Sequence, residues 1–371
     1  MIMKKITISI IMLAMLQCMA FAQDSTSWEP QKNITGYIAM QGEYFDGLKY
    51  TSREYGFAIP EAGLLASFKP IKRLTVNTVF VYRPTYEFEQ MLNEVNGEYE
   101  FADLFKVKIG RFLTPLSPVN TYYYAPVNTS ATLPMLITNH EFFPLNMDAI
   151  CLSGKVGEDF KIDYNVFGGG FKNALWMKTG TLGFFGDEYN YFQKVIANDT
   201  SNATNSGANA EHQIGGGAHL GISYRDNVNI GGGVFNSKEG MESSLPMGDP
   251  FIYIKKFSYG GHAMFKFANI KLAGEYWKTK VSMDFLGMKI ESYWKGAFAE
   301  LSYSIDKFTP YVRGEYHSVQ NFTPEATEYY RYTGGINFKP LFETSFKLEY
   351  VYYKFKSEEL GGLIGTAIFS L

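Results

Sequence analysis

Past residue 22 this chain has no uninterrupted apolar run long enough to cross a membrane as a helix, yet its apolar residues fall on alternate positions in stretch after stretch. From Phe257 to Phe267, the residues Phe257, Tyr259, Ala263, Phe265 and Phe267 share one parity, and Ser258, His262 and Lys266 the other. Successive strand side chains point to opposite faces, so each such stretch predicts a strand with one apolar and one polar face. Leu74, Val76, Phe80 and Tyr82 stand in the same way against Arg73, Thr75, Asn77 and Arg83, as do Phe346, Leu348, Tyr350 and Tyr352 against Glu343, Lys347 and Glu349. A soluble sheet with one wet face fits any single strand equally well. The repetition argues against it, because no helical pattern is available to cover so many apolar faces. Aromatic residues reach 17 %, nearly the 19 % of all charged residues together, which suits strands whose outer face meets lipid.

The beginning of the chain reads as a secretory signal over residues 1–22. Lys4 and Lys5 precede an apolar run from Ile6 to Met19, and Ala20-Phe21-Ala22 supplies an A-x-A cleavage site. Cys18 lies inside this segment, and Gln17 stands before it where lipoprotein processing needs a small residue. A short periplasmic segment, 23–33, and a transmembrane barrel over 34–371 are expected to follow. Removing two lysines leaves 34 − 2 = 32 basic against 37 acidic residues, a formal charge of 32 − 37 = −5 with no basic excess for nucleic acid. Cys151 is then the one remaining cysteine, so neither an internal disulfide nor a thiolate cluster can form. The histidines show no metal-ligand spacing, and no metal or other cofactor is expected. Closure of the sheet is what would pair every backbone N–H and C=O in lipid.

Tight connections are expected at Lys69-Pro70-Ile71-Lys72, Gly157-Glu158-Asp159, Arg225-Asp226-Asn227, Ala268-Asn269, Ile305-Asp306-Lys307 and Lys339-Pro340-Leu341, as periplasmic turns. Longer polar segments near 46–53, 171–212, 239–254, 283–289, 319–326 and 357–361 would be external loops. Both termini of a single-chain outer-membrane barrel lie on the periplasmic side, so the strand number must be even. The turn at Gly157 is periplasmic only if an additional strand is accepted over 91–101, which brings the count to about 16. The segment 113–146 then becomes an external loop between the fifth and sixth strands. A segment of roughly 34 residues without low complexity is usually functional or disordered, and in a barrel this one is expected to fold inward. The fold class is therefore all-β, a transmembrane antiparallel barrel with an inward-folded long loop.

At Lys108-Ile109-Gly110-Arg111-Phe112-Leu113-Thr114-Pro115 the chain resembles the phosphate- and polyphosphate-selective porins, in which a strand ending in a G-[RQ]-F-x-x-P run opens the loop that narrows the pore. The likeness in specific residues covers 95–160. It implies a barrel of about 16 strands, often assembled as a homotrimer, with the third external loop forming the constriction. Leu116-Ser117 stands where Phe-Gly is usual, and no basic ladder is evident, so phosphate selectivity is not part of what the resemblance implies.

Alternation places Arg73, Arg83, Lys106, Lys108, Lys161, Arg225, Lys266, Arg313, Arg331 and Lys347 toward the lumen, with Glu43, Glu61, Asp163, Glu275, Glu300, Glu315, Glu343 and Glu349. Rings of one sign would set selectivity, whereas mixed signs can pair across strands and hold the wall together. Within the long loop, Asn120, Tyr122, Tyr123, Tyr124, Asn128, Thr129, Asn139, His140 and Glu141 are the polar groups suited to line a constriction. Tyr122–Tyr124 would offer a solute an aromatic surface or pack the loop onto the wall. His140-Glu141 reads as a pH-sensitive gate or as a hydrogen-bonded anchor. No enzyme is expected: His317 and Ser318 face opposite sides of a strand, and the glycine triplets 168–170, 215–217 and 231–233 run into no helix. They suit crowded or bent strands instead. The expected function is passive diffusion of small hydrophilic solutes or ions through a water-filled barrel set in outer-membrane lipid. The rivals are a binding or adhesion barrel displaying the 171–212 loop and a fatty-acid-type hydrophobic transporter, for which the short segment before Ile34 offers little plug.

Overall fold

The computed structural model describes residues 28–46, 55–83, 91–121, 124–138, 142–171, 213–225, 227–242, 251–285, 288–320, 326–356 and 359–371. The signal expected over 1–22 and most of the 171–212 loop lie outside the described residues.

The alternating stretches form sixteen strands: β1 (Gln31–Asp46), β2 (Tyr55–Ile71), β3 (Leu74–Tyr82), β4 (Leu92–Ala102), β5 (Phe105–Leu113), β6 (Asn146–Val156), β7 (Phe160–Gly170), β8 (Ile214–Tyr224), β9 (Val228–Glu242), β10 (Phe251–Phe267), β11 (Ile270–Phe285), β12 (Met288–Tyr303), β13 (Phe308–Val319), β14 (Thr327–Leu341), β15 (Thr344–Lys354) and β16 (Glu359–Ser370). Each pairs antiparallel with its sequence neighbours, and β1 pairs with β16 from Tyr37↔Ser370 to Asp46↔Gly361, closing the barrel. No sheet edge remains, so the backbone groups of the wall are satisfied within it. The strand expected over 91–101 is β4, and the count and the position of the long connection follow from it.

Exposure follows the alternation. In β15, Phe346, Leu348 and Tyr350 are exposed on the outer face, whereas Ser345, Lys347 and Glu349 are buried on the inner one. In β10, Phe257 and Tyr259 face out while Ser258 and His262 are buried. The short connections share one end of the barrel with both termini. Three of them hold a non-glycine residue in the left-handed region, Arg225 at φ 49°, Ala268 at 49° and Asp306 at 52°, as tight hairpin turns demand.

Two turns and the barrel's start differ from expectation. Lys69-Pro70 and Lys339-Pro340 do not turn. β2 continues to Ile71 and β14 to Leu341, each through a register irregularity, from Phe68 to Ile71 and from Phe338 to Leu341. Proline lacks the N–H a regular ladder needs, but a bulge at a strand end tolerates it. The turns therefore fall at Lys72-Arg73 and Phe342-Glu343. The barrel begins at Gln31, three residues before Ile34.

Candidate functional site: the segment across the lumen

Residues 114–145 contain no Lys or Arg, and their described part forms two single helical turns, α1 (Pro118–Thr121) and α2 (Met135–Thr138). Ser117 caps α1 by accepting from the Asn120 N–H at 3.2 Å, and Pro118 occupies the first helical position, where no N–H is needed. The remaining described backbone is irregular, so its polar groups must find partners elsewhere.

The ends of the segment are stapled together. Thr114 donates its N–H to Leu145 O at 2.9 Å and its hydroxyl to Pro144 O at 2.6 Å. The Asn120 amide donates to Thr114 O at 2.9 Å and to Leu145 O at 3.1 Å.

Beyond this base the barrel wall supplies the partners. Glu61 on β2 accepts the Ala125 N–H at 3.0 Å and is held by Tyr37 and by two bonds from Arg83, 2.9 and 2.6 Å. Glu349 on β15 accepts the N–H groups of Ala131 and Thr132 at 2.9 and 3.3 Å, the Thr132 hydroxyl, and the Tyr311 hydroxyl at 2.7 Å. Glu315 on β13 accepts the Met135 N–H at 2.6 Å at the start of α2. Cations answer the carbonyls: Arg313 donates to Thr132 O at 2.9 Å and to the hydroxyls of Ser130 and Thr132, both at 2.7 Å. Arg331 donates to Leu133 O, and Lys347 to the carbonyls of Ala125, Asn128 and Ser130 at 2.9, 2.6 and 3.1 Å. Arg313 also pairs with Glu315 at 2.7 Å and Glu300 at 3.2 Å, and Arg331 with Glu315 at 2.6 Å. Four carboxylates and four cations, all buried but the partly exposed Glu300, thus form one balanced set whose spare valences bind an uncharged backbone. Burying charges on this scale is costly unless each is paired or hydrogen-bonded: the three arginines have carboxylate partners, and Lys347 and Glu349 are held by hydrogen bonds.

Apolar contacts complete the attachment. Phe143 meets Trp277 edge-on at 4.8 Å, and Phe142 packs against His317 at 5.6 Å. Two glycines on the wall act as sockets. A Cβ at Gly233 would come 2.7 Å from Leu116, and one at Gly296 would come 2.8 Å from Phe142 and 3.3 Å from Leu136. Gly233 belongs to one of the triplets, and its missing side chain makes room for the segment. Replacing Gly296 by Leu is expected to cost about 1–3 kcal/mol through overpacking and to lift the segment from the wall. The temperature at which the folded band disappears in unboiled electrophoresis will fall accordingly.

The structure sorts the expected site residues into distinct roles. Asn120 has no accessible surface, 0 %, and Tyr124 is buried with its hydroxyl on Glu94 at 2.9 Å. Neither lines a passage, because both are consumed in holding the segment. Asn128 and Thr129 do line open space, a cavity of about 320 Å³ between the segment and the wall. Tyr122, Tyr123, Asn139, His140 and Glu141 lie outside the described residues. On the wall, Arg83, Arg313, Glu315, Arg331, Lys347 and Glu349 are anchors, not free charges along a path. Lys106 and Lys108 pair across strands with Glu100 at 2.9 Å and Glu98 at 3.0 Å. Lys266 borders the cavity. Arg73 does not face the lumen: because β2 runs on to Ile71, it falls in the turn and is exposed. Ser117, Ser130, Thr132 and Gly296 carry roles that no local sequence signal announced, whereas Gly233 stands in a triplet that the sequence marks as suited to crowding.

No family model matches the chain, and no curated protein matches it. Solved structures do. The in-vitro folded, trimer form of OmpT from Vibrio cholerae aligns with a TM-score of 0.62 at 10 % identity, over 93 % of this chain and 100 % of that one. The anion-selective porin of Comamonas acidovorans aligns at 0.60 and 12 % identity, covering 92 % and 100 %. Salmonella typhi OmpF, in complex with daunomycin, aligns at 0.61 and 12 %, covering 92 % and 97 %. What is shared at these identities is the fold, that of outer-membrane porin barrels.

Proposed function

We propose that this protein is an outer-membrane channel through which small hydrophilic solutes or ions diffuse passively, with no catalytic step, and that residues 114–145 set the narrowest part of the path. The observation that carries the reading is the anchoring itself. Seven buried charges, from β2, β13, β14 and β15 and from Arg83 just past β3, with the partly buried Glu300 of β12 behind Arg313, are spent on fixing one segment inside a closed barrel. A barrel that served only as a platform for external loops would have no use for such an arrangement. Sixteen strands enclose more space than inner side chains fill, which leaves an aqueous channel for the segment to narrow. A homotrimer, the form recorded for the Vibrio protein, belongs to the same reading. Purified protein reconstituted in a planar bilayer will give discrete conductance steps in potassium chloride. Folded, heat-modifiable material that gives none above lipid background would refute the proposal.

A further inference from the structure

We infer that the cavity between the segment and the β9–β12 wall binds organic monoanions, a carboxylate carried on a small apolar body. This deepens the channel reading and rests on it, since the cavity is part of the same lumen.

Lys266 and Lys271 lie directly opposite one another in the β10–β11 register, and both line the cavity. Like charges placed opposite each other across two strands repel, and an anion bound between them relieves that repulsion. Neither lysine has an ion-pair partner among the described residues, whereas Arg313, Arg331 and Lys347 are saturated by carboxylates or loop carbonyls.

The cavity's own carboxylates do not neutralise the two lysines. Glu275 accepts from the Ser117 hydroxyl at 2.8 Å and from the Trp277 indole N–H at 3.3 Å, and Glu300 is paired with Arg313 at 3.2 Å. What the site offers a solute is therefore positive charge at the end near the Ala268-Asn269 turn. Next to it lies an apolar surface made by Val119, Val127, Met264 and Phe298. Inorganic phosphate would satisfy the lysines and leave that surface wet. A carboxylate with a ring or short chain satisfies both, and about 320 Å³ accommodates a body of that size.

The test uses the full protein in a planar bilayer, with benzoate as probe added at the short-turn side. Benzoate will reduce the chloride current reversibly, while benzamide, equal in shape but uncharged, will leave it unaffected at the same concentration. Converting Lys266→Gln and Lys271→Gln together will raise the half-blocking concentration about tenfold, the loss of charge-assisted hydrogen bonds, and Lys266→Arg with Lys271→Arg will retain block. Equal block by benzamide, equal block by inorganic phosphate, or an unchanged half-blocking concentration in the double Gln variant would each overturn the inference. If the wild type shows no conductance in potassium chloride, the channel reading fails separately. Calorimetric titration of benzoate into the folded protein in detergent, wild type against double Gln, then decides the site alone: binding lost in the variant supports it and equal binding overturns it.

Discussion

Excising residues 116–143 and joining Pro115 to Pro144 through a short Gly-Ser linker will raise single-channel conductance several-fold without unfolding the barrel. The wall keeps its own hydrogen bonds, because every strand pairs with two neighbours and closure does not involve the segment. The charges that now hold it, Glu61, Glu315, Glu349, Arg313, Arg331 and Lys347, would be left facing water in a wide lumen. There they are solvated and still adjacent to partners of opposite sign, so the penalty of an orphaned buried charge does not arise. Conductance equal to that of the intact protein would show that the segment does not set the passage. The stapled base, Thr114 with Pro144 and Leu145, makes this the natural place to cut, since its two strands already lie within hydrogen-bonding distance.

A single substitution is expected to loosen what the excision removes. Glu349→Leu deletes the acceptor of two loop N–H groups, of the Thr132 hydroxyl and of the Tyr311 hydroxyl, and leaves the positive set in excess by one. Breaking a buried ion network in this way costs about 3–5 kcal/mol, most of it felt at Ala131 and Thr132. The channel will become noisy, flickering between a narrow and a wider level. Chymotrypsin will cleave within 116–143 in folded protein, where Tyr124, Phe142 and Phe143 are otherwise buried. Glu349→Gln keeps an acceptor for the N–H groups but not the charge, and will fall between wild type and Leu. A quiet, protease-resistant Leu variant would mean that the remaining anchors suffice.

The charged residues show where reading the sequence stops. Mixed signs on the inner face, with Arg313 beside Glu315 two positions on, look alike whether they line a pore, pair across strands or hold something inside. The same alternation that puts Lys106 opposite Glu100 and Lys108 opposite Glu98 as cross-strand pairs puts Arg313 at Thr132, 181 residues away. Nothing local distinguishes the two. The segment's composition held half of the answer: with no Lys or Arg of its own, it had to be fixed by charges from elsewhere if it was to be buried. Asn120 illustrates the converse error. An Asn in a loop suggests a polar lining, yet its amide closes the base of the segment, which depends on Thr114 and Leu145 being brought together first.

The sequence by itself determined that the chain forms a closed antiparallel barrel of sixteen strands, which face of each strand looks outward, and that a long connection joins the fifth and sixth strands. These follow from a period of two residues and from the need for an even count, and both are readable within a few positions of each residue. Only the tertiary structure decided that the β5–β6 connection is bound by its backbone, that glycines 233 and 296 are sockets for its side chains, and that Lys266 and Lys271, with no ion-pair partner among the described residues, stand as a cationic pair above an apolar surface. Each of these depends on groups brought together by closure of the sheet from positions scores of residues apart.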